Sequence, residues 1–90
     1  MKRFFARVKG RVQGVGFRYF VMRKASSYNL CGYVRNCQNG DVEVEAEGEK
    51  DQLDLLARDL REGPSLSRVK DVRLEWFEDE KGYKGFDLKW

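Results

Sequence analysis

Residues 3–12, RFFARVKGRV, alternate apolar and polar side chains, and within a few residues of the glycine-rich run QGVGFR the pattern changes to that of a helix. Phe4, Ala6, Val8 and Val12 share one face of the first segment, while Arg3, Phe5, Arg7, Lys9 and Arg11 share the other. That period of two predicts a half-buried strand. From Phe17 to Tyr28 the apolar positions are Phe17, Phe20, Val21, Ala25 and Tyr28, a helical spacing. The same change occurs in the second half. After the short β-prone stretch CGYVRN (31–36), Asn39-Gly40 signals a hairpin and DVEVEAEG alternates throughout. Leu53, Leu56, Ala57 and Leu60 then mark an amphipathic helix closed by Gly63-Pro64. A fourth strand is predicted over 69–77, VKDVRLEWF, and GFDLKW ends the chain as a short fifth.

The order βαββαβ(β) is two βα units joined by a hairpin, an α+β arrangement of the ferredoxin-like kind. It places two helices on one face of an antiparallel sheet in spatial order 4-1-3-2, with a short C-terminal fifth strand. Neither a linker nor a repeat divides the sequence, so residues 1–90 are expected to form a single domain. In that order strand three lies beside strand one. Glu43, Glu45 and Glu47 are then expected to share an open, solvated face with Arg7, Lys9 and Arg11.

The residue inventory excludes several chemistries. With no histidine, Ser-His-Asp and Cys-His catalysis, phosphohistidine chemistry and histidine-ligated zinc are all unavailable. Cys31 and Cys37 fall within one predicted strand, where six extended residues span about 20 Å. A disulfide needs Cα atoms within about 7 Å, so both are read as free thiols. No apolar run approaches membrane-spanning length and no signal-peptide stretch opens the chain, which predicts a cytoplasmic protein. Residues 1–40 carry nine basic and no acidic side chains, whereas 41–90 carry nine basic and all fifteen acidic ones. A basic half suits an anionic partner, either a small phosphate compound or nucleic acid, although part of it will be consumed by strand-to-strand pairing.

The glycine loop narrows the choice. Between Gly10 and Arg18 there is no Ser, Thr, Asp or Asn to cap the helix that follows. The first turn is left with unpartnered N–H groups at the positive end of the helix dipole, and a basic residue sits there against its preference. A bound anion would accept those N–H bonds and engage Arg18, with the glycines letting the backbone curl into a nest. The bland alternative is a surface arginine beside a hydrated turn. Walker A is excluded by the missing Lys-Ser/Thr, and the dinucleotide fingerprint by Tyr19 standing where a glycine is needed. The first two strands, joined through a helix, run parallel, so Asn36 at the end of the second arrives beside this loop. An RNA-recognition module shares the topology, but the outward glutamates of DVEVEAE would repel phosphate, so nucleic acid is not expected as a partner.

GRVQGVGFR (10–18) and GYVRNCQNGDVEVEAEG (32–48) resemble the two signatures of the acylphosphatase family, in the same order and with the usual spacing. The resemblance covers nearly the whole chain. It departs from the family's pattern at Tyr33, at Asn39 and in GPSLSRV (63–69). It implies hydrolysis of an acyl phosphate to a carboxylate and inorganic phosphate. By the same resemblance Arg18 aligns with the phosphate-binding arginine, Asn36 with the asparagine that orients the attacking water, and the backbone of Gln13, Gly14, Val15, Gly16, Phe17 and Arg18 with the phosphate cradle. The expected protein is a free-standing monomeric enzyme acting on small molecules. It needs no cofactor or metal, forms no covalent intermediate and contacts no membrane. The rival is an accessory domain of the kind found in larger carbamoyl-transferring proteins.

Overall fold

A computed structural model describes residues 1–90. Strand β1 (Lys2–Arg11) leads through the glycine loop into helix α1 (Phe17–Ser27) and then β2 (Cys31–Asn36). A hairpin joins β2 to β3 (Val42–Gly48), followed by helix α2 (Lys50–Glu62), β4 (Arg68–Phe77) and β5 (Phe86–Leu88). The elements match the expected order, and the sheet order is β4-β1-β3-β2-β5.

Alternation puts Phe4, Ala6, Val8 and Val12 of the β1 segment against Val42, Val44 and Ala46 of β3 and Val34 of β2, all almost fully buried. The helices cover this face with Phe17, Val21 and Ala25 from α1 and Leu53, Leu56 and Leu60 from α2. Each of the Val, Leu and Phe side chains among them contributes roughly 1.5–3 kcal/mol when fully buried, which makes this layer the main source of stability. Helix α1 ends where Asn29 turns left-handed at φ 59°, and Tyr28 beside it donates its hydroxyl to the buried Asp59 of α2. Cys31 lies in β2, but Cys37, expected within the same strand, lies immediately beyond its end at Asn36; both are free, as expected.

Two expectations are corrected. The sheet is mixed rather than antiparallel throughout, because β5 pairs with β2 in parallel register, Gly32 opposite Phe86 and Val34 opposite Leu88. And the outer face is not open. Glu43, Glu45 and Glu47 are only 4–5% exposed, and Arg3 is 6% exposed. The cause is topological. β4 and β5 occupy opposite edges, so the segment between them, residues 78–85, must cross about 19 Å of sheet at ~4.8 Å per strand. Helices already cover the other face, so it crosses here and buries the charges beneath it.

A buried charge persists only when paired and hydrogen-bonded. Arg3 accordingly bridges Glu45 at 3.2 Å and Asp79 of the crossing segment at 2.9 Å. Burial opposes the Arg3 charge, but these two carboxylates outweigh it and raise the guanidinium above its ordinary range. Arg7 pairs with Glu43 as expected, while Lys9 pairs with Asp41 at 2.9 Å. The β1–β3 ladder ends at Val8 opposite Val42, so Arg11 lies beyond it and faces Arg68 of β4 instead.

Candidate active site

β1, β2 and β5 all run the same way, so their C-terminal ends converge on one end of the sheet. The end of β1 supplies the glycine loop. Gly14 and Gly16 adopt φ of +73° and +79°, a left-handed conformation that costs a residue with a Cβ about 1–2 kcal/mol. No other atom lies within 4 Å of where either Cβ would stand, so backbone conformation rather than crowding requires glycine at both. Gly16 is the helix N-cap and, as expected, no side chain caps α1; no acidic residue lies in its first turn. The N–H groups of residues 13–19 have no carbonyl partner, and the first helical amide to find one is Phe20, bonding the Gly16 carbonyl at 3.0 Å. Arg18 stands among these donors.

The end of β2 supplies Asn36, opposite Val42 in the hairpin register. Its Oδ1 is buried and has no hydrogen-bond partner within the protein. The strand that carries it is stapled from behind. Glu43 accepts from Arg35 at 2.9 and 3.0 Å and from the Tyr33 hydroxyl at 2.6 Å. Burial pushes the Glu43 carboxyl up, but Tyr33 and Arg35 more than offset that and hold it below the usual range, so it stays ionised.

Together the three strand ends line a cleft of about 190 Å³, with Gly14, Gly16, Arg18 and Asn36 beside the hydrophobic Val12, Phe17, Tyr19, Leu88 and Trp90. Of the residues expected at the site, Gly14, Gly16, Phe17, Arg18 and Asn36 meet here. The side chains of Gln13 and Val15 do not. Val15 packs against the core, and Gln13 donates its amide to the carbonyls of Cys37 at 2.7 Å and Asp41 at 2.9 Å. Gln13 thereby ties the glycine loop to the hairpin that follows Asn36, a role that its place in the motif did not reveal.

The third contributor, the end of β5, was not anticipated. Arg18 Nη1 donates to the Lys89 carbonyl at 3.0 Å, and its guanidinium lies 4.5 Å from the centre of the Trp90 ring. The only sequence signal was GFDLKW itself, which reads as a strand but does not say which edge it joins. Nowhere are three His, Cys, Asp or Glu side chains gathered as a metal-ligand set. What the cleft presents is one guanidinium, a run of unpartnered N–H donors and one buried amide oxygen. That set suits a tetrahedral oxyanion with a polar molecule held beside it.

Fold and cleft thus define a small ferredoxin-like α+β protein with an oxyanion-binding loop at the ends of parallel strands. The chain belongs to the acylphosphatase family: residues 4–88 match the family model described as Acylphosphatase. The acylphosphatase of Thermus thermophilus is 51% identical over 88 residues, spanning 98% of this chain and 99% of that protein. Among solved structures, the acylphosphatase from Bacillus subtilis matches with a TM-score of 0.97 at 36% identity, with both chains fully covered. That from Coxiella burnetii matches with a TM-score of 0.91 at 39% identity, over 97% of this chain and 90% of that one. The protein is an enzyme that hydrolyses acyl phosphates. No helix is long and apolar enough to cross a membrane.

Proposed function

We propose that the phosphoryl group of the acyl phosphate sits in the backbone nest of residues 13–18, with Arg18 bonding its equatorial oxygens and Asn36 holding the attacking water. Phosphoryl transfer asks chiefly for position and charge stabilisation, and Arg18, the glycine loop and Asn36, which line one cleft, can supply both. The water's oxygen bonds to phosphorus as the bond from phosphorus to the acyl oxygen breaks, and the carboxylate leaves with the electron pair. A phosphate oxygen of the substrate takes the water's proton, since no side-chain base lines the cleft. No covalent intermediate with the protein forms, and no metal takes part.

The observation that carries this reading is the buried, unpartnered Asn36 Oδ1 in the same cleft as Arg18. A buried acceptor without a donor costs about 1–3 kcal/mol, and a water donating to it removes that cost while fixing the water's position. Replacing Asn36 with Ala tests the assignment. The expected result is a fall in kcat of about 100-fold, as for a positioning loss at the reacting atoms. The affinity for inorganic phosphate, measured as a competitive inhibitor, should change less than threefold. An Asn36→Ala enzyme with normal kcat and collapsed phosphate affinity would overturn the water-holding role.

A further inference from the structure

Arg18 is oriented by a contact whose own support lies on the far side of the sheet. The Glu47 carboxylate, 4% exposed, accepts three consecutive backbone N–H groups from the crossing segment: Lys81 at 2.7 Å, Gly82 at 3.0 Å and Tyr83 at 2.9 Å. Such a run of amides is an anion-binding concavity, here filled by a side chain of the protein itself. The segment is further held by the Tyr83 hydroxyl on Glu45 at 3.0 Å and by the Tyr83 ring against Tyr33.

Two residues later the Gly85 carbonyl accepts from Gly32 at 2.8 Å, and β5 begins. β5 is three residues long and lies at the sheet edge, too short to fix its own register firmly. Beyond it, Lys89 donates to the Val34 carbonyl at 2.8 Å, and its own carbonyl receives Arg18 Nη1. Phe86 and Leu88 pack against the core, and Asp79 and Lys81 pair through their side chains with Arg3 and Glu45, but the backbone N–H groups of the crossing are held by Glu47 alone.

We infer that Glu47 is a positioning residue for Arg18, acting through residues 81–89: by clamping the crossing segment it sets where the Lys89 carbonyl and the Trp90 ring stand, and so where the guanidinium points. The inference rests on the reading of Arg18 as the phosphoryl-binding group. One of the five guanidinium donors is spent on Lys89 and the rest remain for the oxyanion, so the contact pre-orients Arg18 without occupying it.

Glu47→Gln keeps the shape but turns an amide nitrogen toward backbone donors, which opens the clamp. The expected outcome is a loss of about tenfold in both kcat/KM for a small acyl phosphate and affinity for inorganic phosphate, measured well below the melting temperature. Val72→Ala, on β4 and away from the cleft, loses stability with activity within twofold of wild type. The decisive arm is Arg18→Ala. In that background Glu47→Gln should cost less than twofold, because there is no guanidinium left to aim. If Glu47→Gln does not fold, Gly82→Ala serves instead, since it strains a residue at φ +80° with open space around its Cβ. Wild-type-like phosphate affinity in the clamp variant, or a tenfold loss that persists in Arg18→Ala, would overturn the inference. Wild-type phosphate affinity in Arg18→Ala alone would instead overturn the active-site reading.

Discussion

Replacing Arg18 with Lys keeps the charge and removes the fork. Arg18 touches little besides the Lys89 carbonyl and the Trp90 ring, so the substitution should leave the fold intact. With one donor on Lys89, the guanidinium can still place two parallel N–H groups on phosphoryl oxygens. An ammonium at the end of a flexible stem supplies one such bond at a time. The loss is therefore about one charge-assisted hydrogen bond, roughly 1.5–3 kcal/mol. At ~1.36 kcal/mol per decade this is a decrease of about 10- to 200-fold in kcat/KM. Arg18→Ala removes both bonds and should cost about 10²–10⁴-fold on the same scale. Phosphate release from a small acyl phosphate gives the rates, competition by inorganic phosphate gives the affinity, and thermal unfolding shows that the fold is unaffected. A Lys variant within twofold of wild type in kcat/KM would show that only charge matters at this position and that the planar fork has no role.

Leaving-group chemistry provides a second test: a carboxylate, with a conjugate-acid pKa of about 4, departs unaided, whereas an alkoxide near 16 needs a proton or a metal. No carboxylate, histidine or lysine side chain lines the cleft, so kcat/KM for a small acyl phosphate should exceed that for a simple alkyl monoester by orders of magnitude. Comparable, Arg18-dependent rates on both would reveal an acid that this mechanism lacks. A third test is stability in acid. The hydrogen bond from Lys9 does most to hold the Asp41 carboxyl below its ordinary value, against the opposing pull of burial, and Glu43 and Asp79 are depressed as well. Groups with lowered folded pKa values stabilise fully above their unfolded values, about 4, and that stabilisation disappears as pH falls through the folded ones. Denaturant unfolding should therefore show stability declining from about pH 4 downward. Asp41→Asn should be less stable than wild type at pH 7, and the difference should shrink as pH falls through the lowered Asp41 value. Parallel profiles for the two proteins would show that the Asp41 pairing does not couple to folding.

The elements, their order and most of the cleft are legible in the amino-acid sequence. A period of two or of 3.6 is a local property, as are a hairpin at Asn39-Gly40 and an uncapped helix start beside Arg18. The crossover rule converts that order into the meeting of the glycine loop with Asn36. Contacts between distant segments are not legible in the same way. Alternation says that Glu43, Glu45 and Glu47 point away from the helices; it does not say whether water or another part of the chain meets them. Only the placement of β5 beside β2, at the edge opposite β4, sends residues 78–85 over those glutamates and makes buried ion pairs of an expected surface ladder. The same placement brings the Lys89 carbonyl and Trp90 to Arg18, and loop packing turns the Gln13 amide onto the hairpin. None of these leaves a periodic trace. Each joins residues 24 or more positions apart, through single hydrogen bonds and ring contacts whose geometry depends on where every intervening element has already packed.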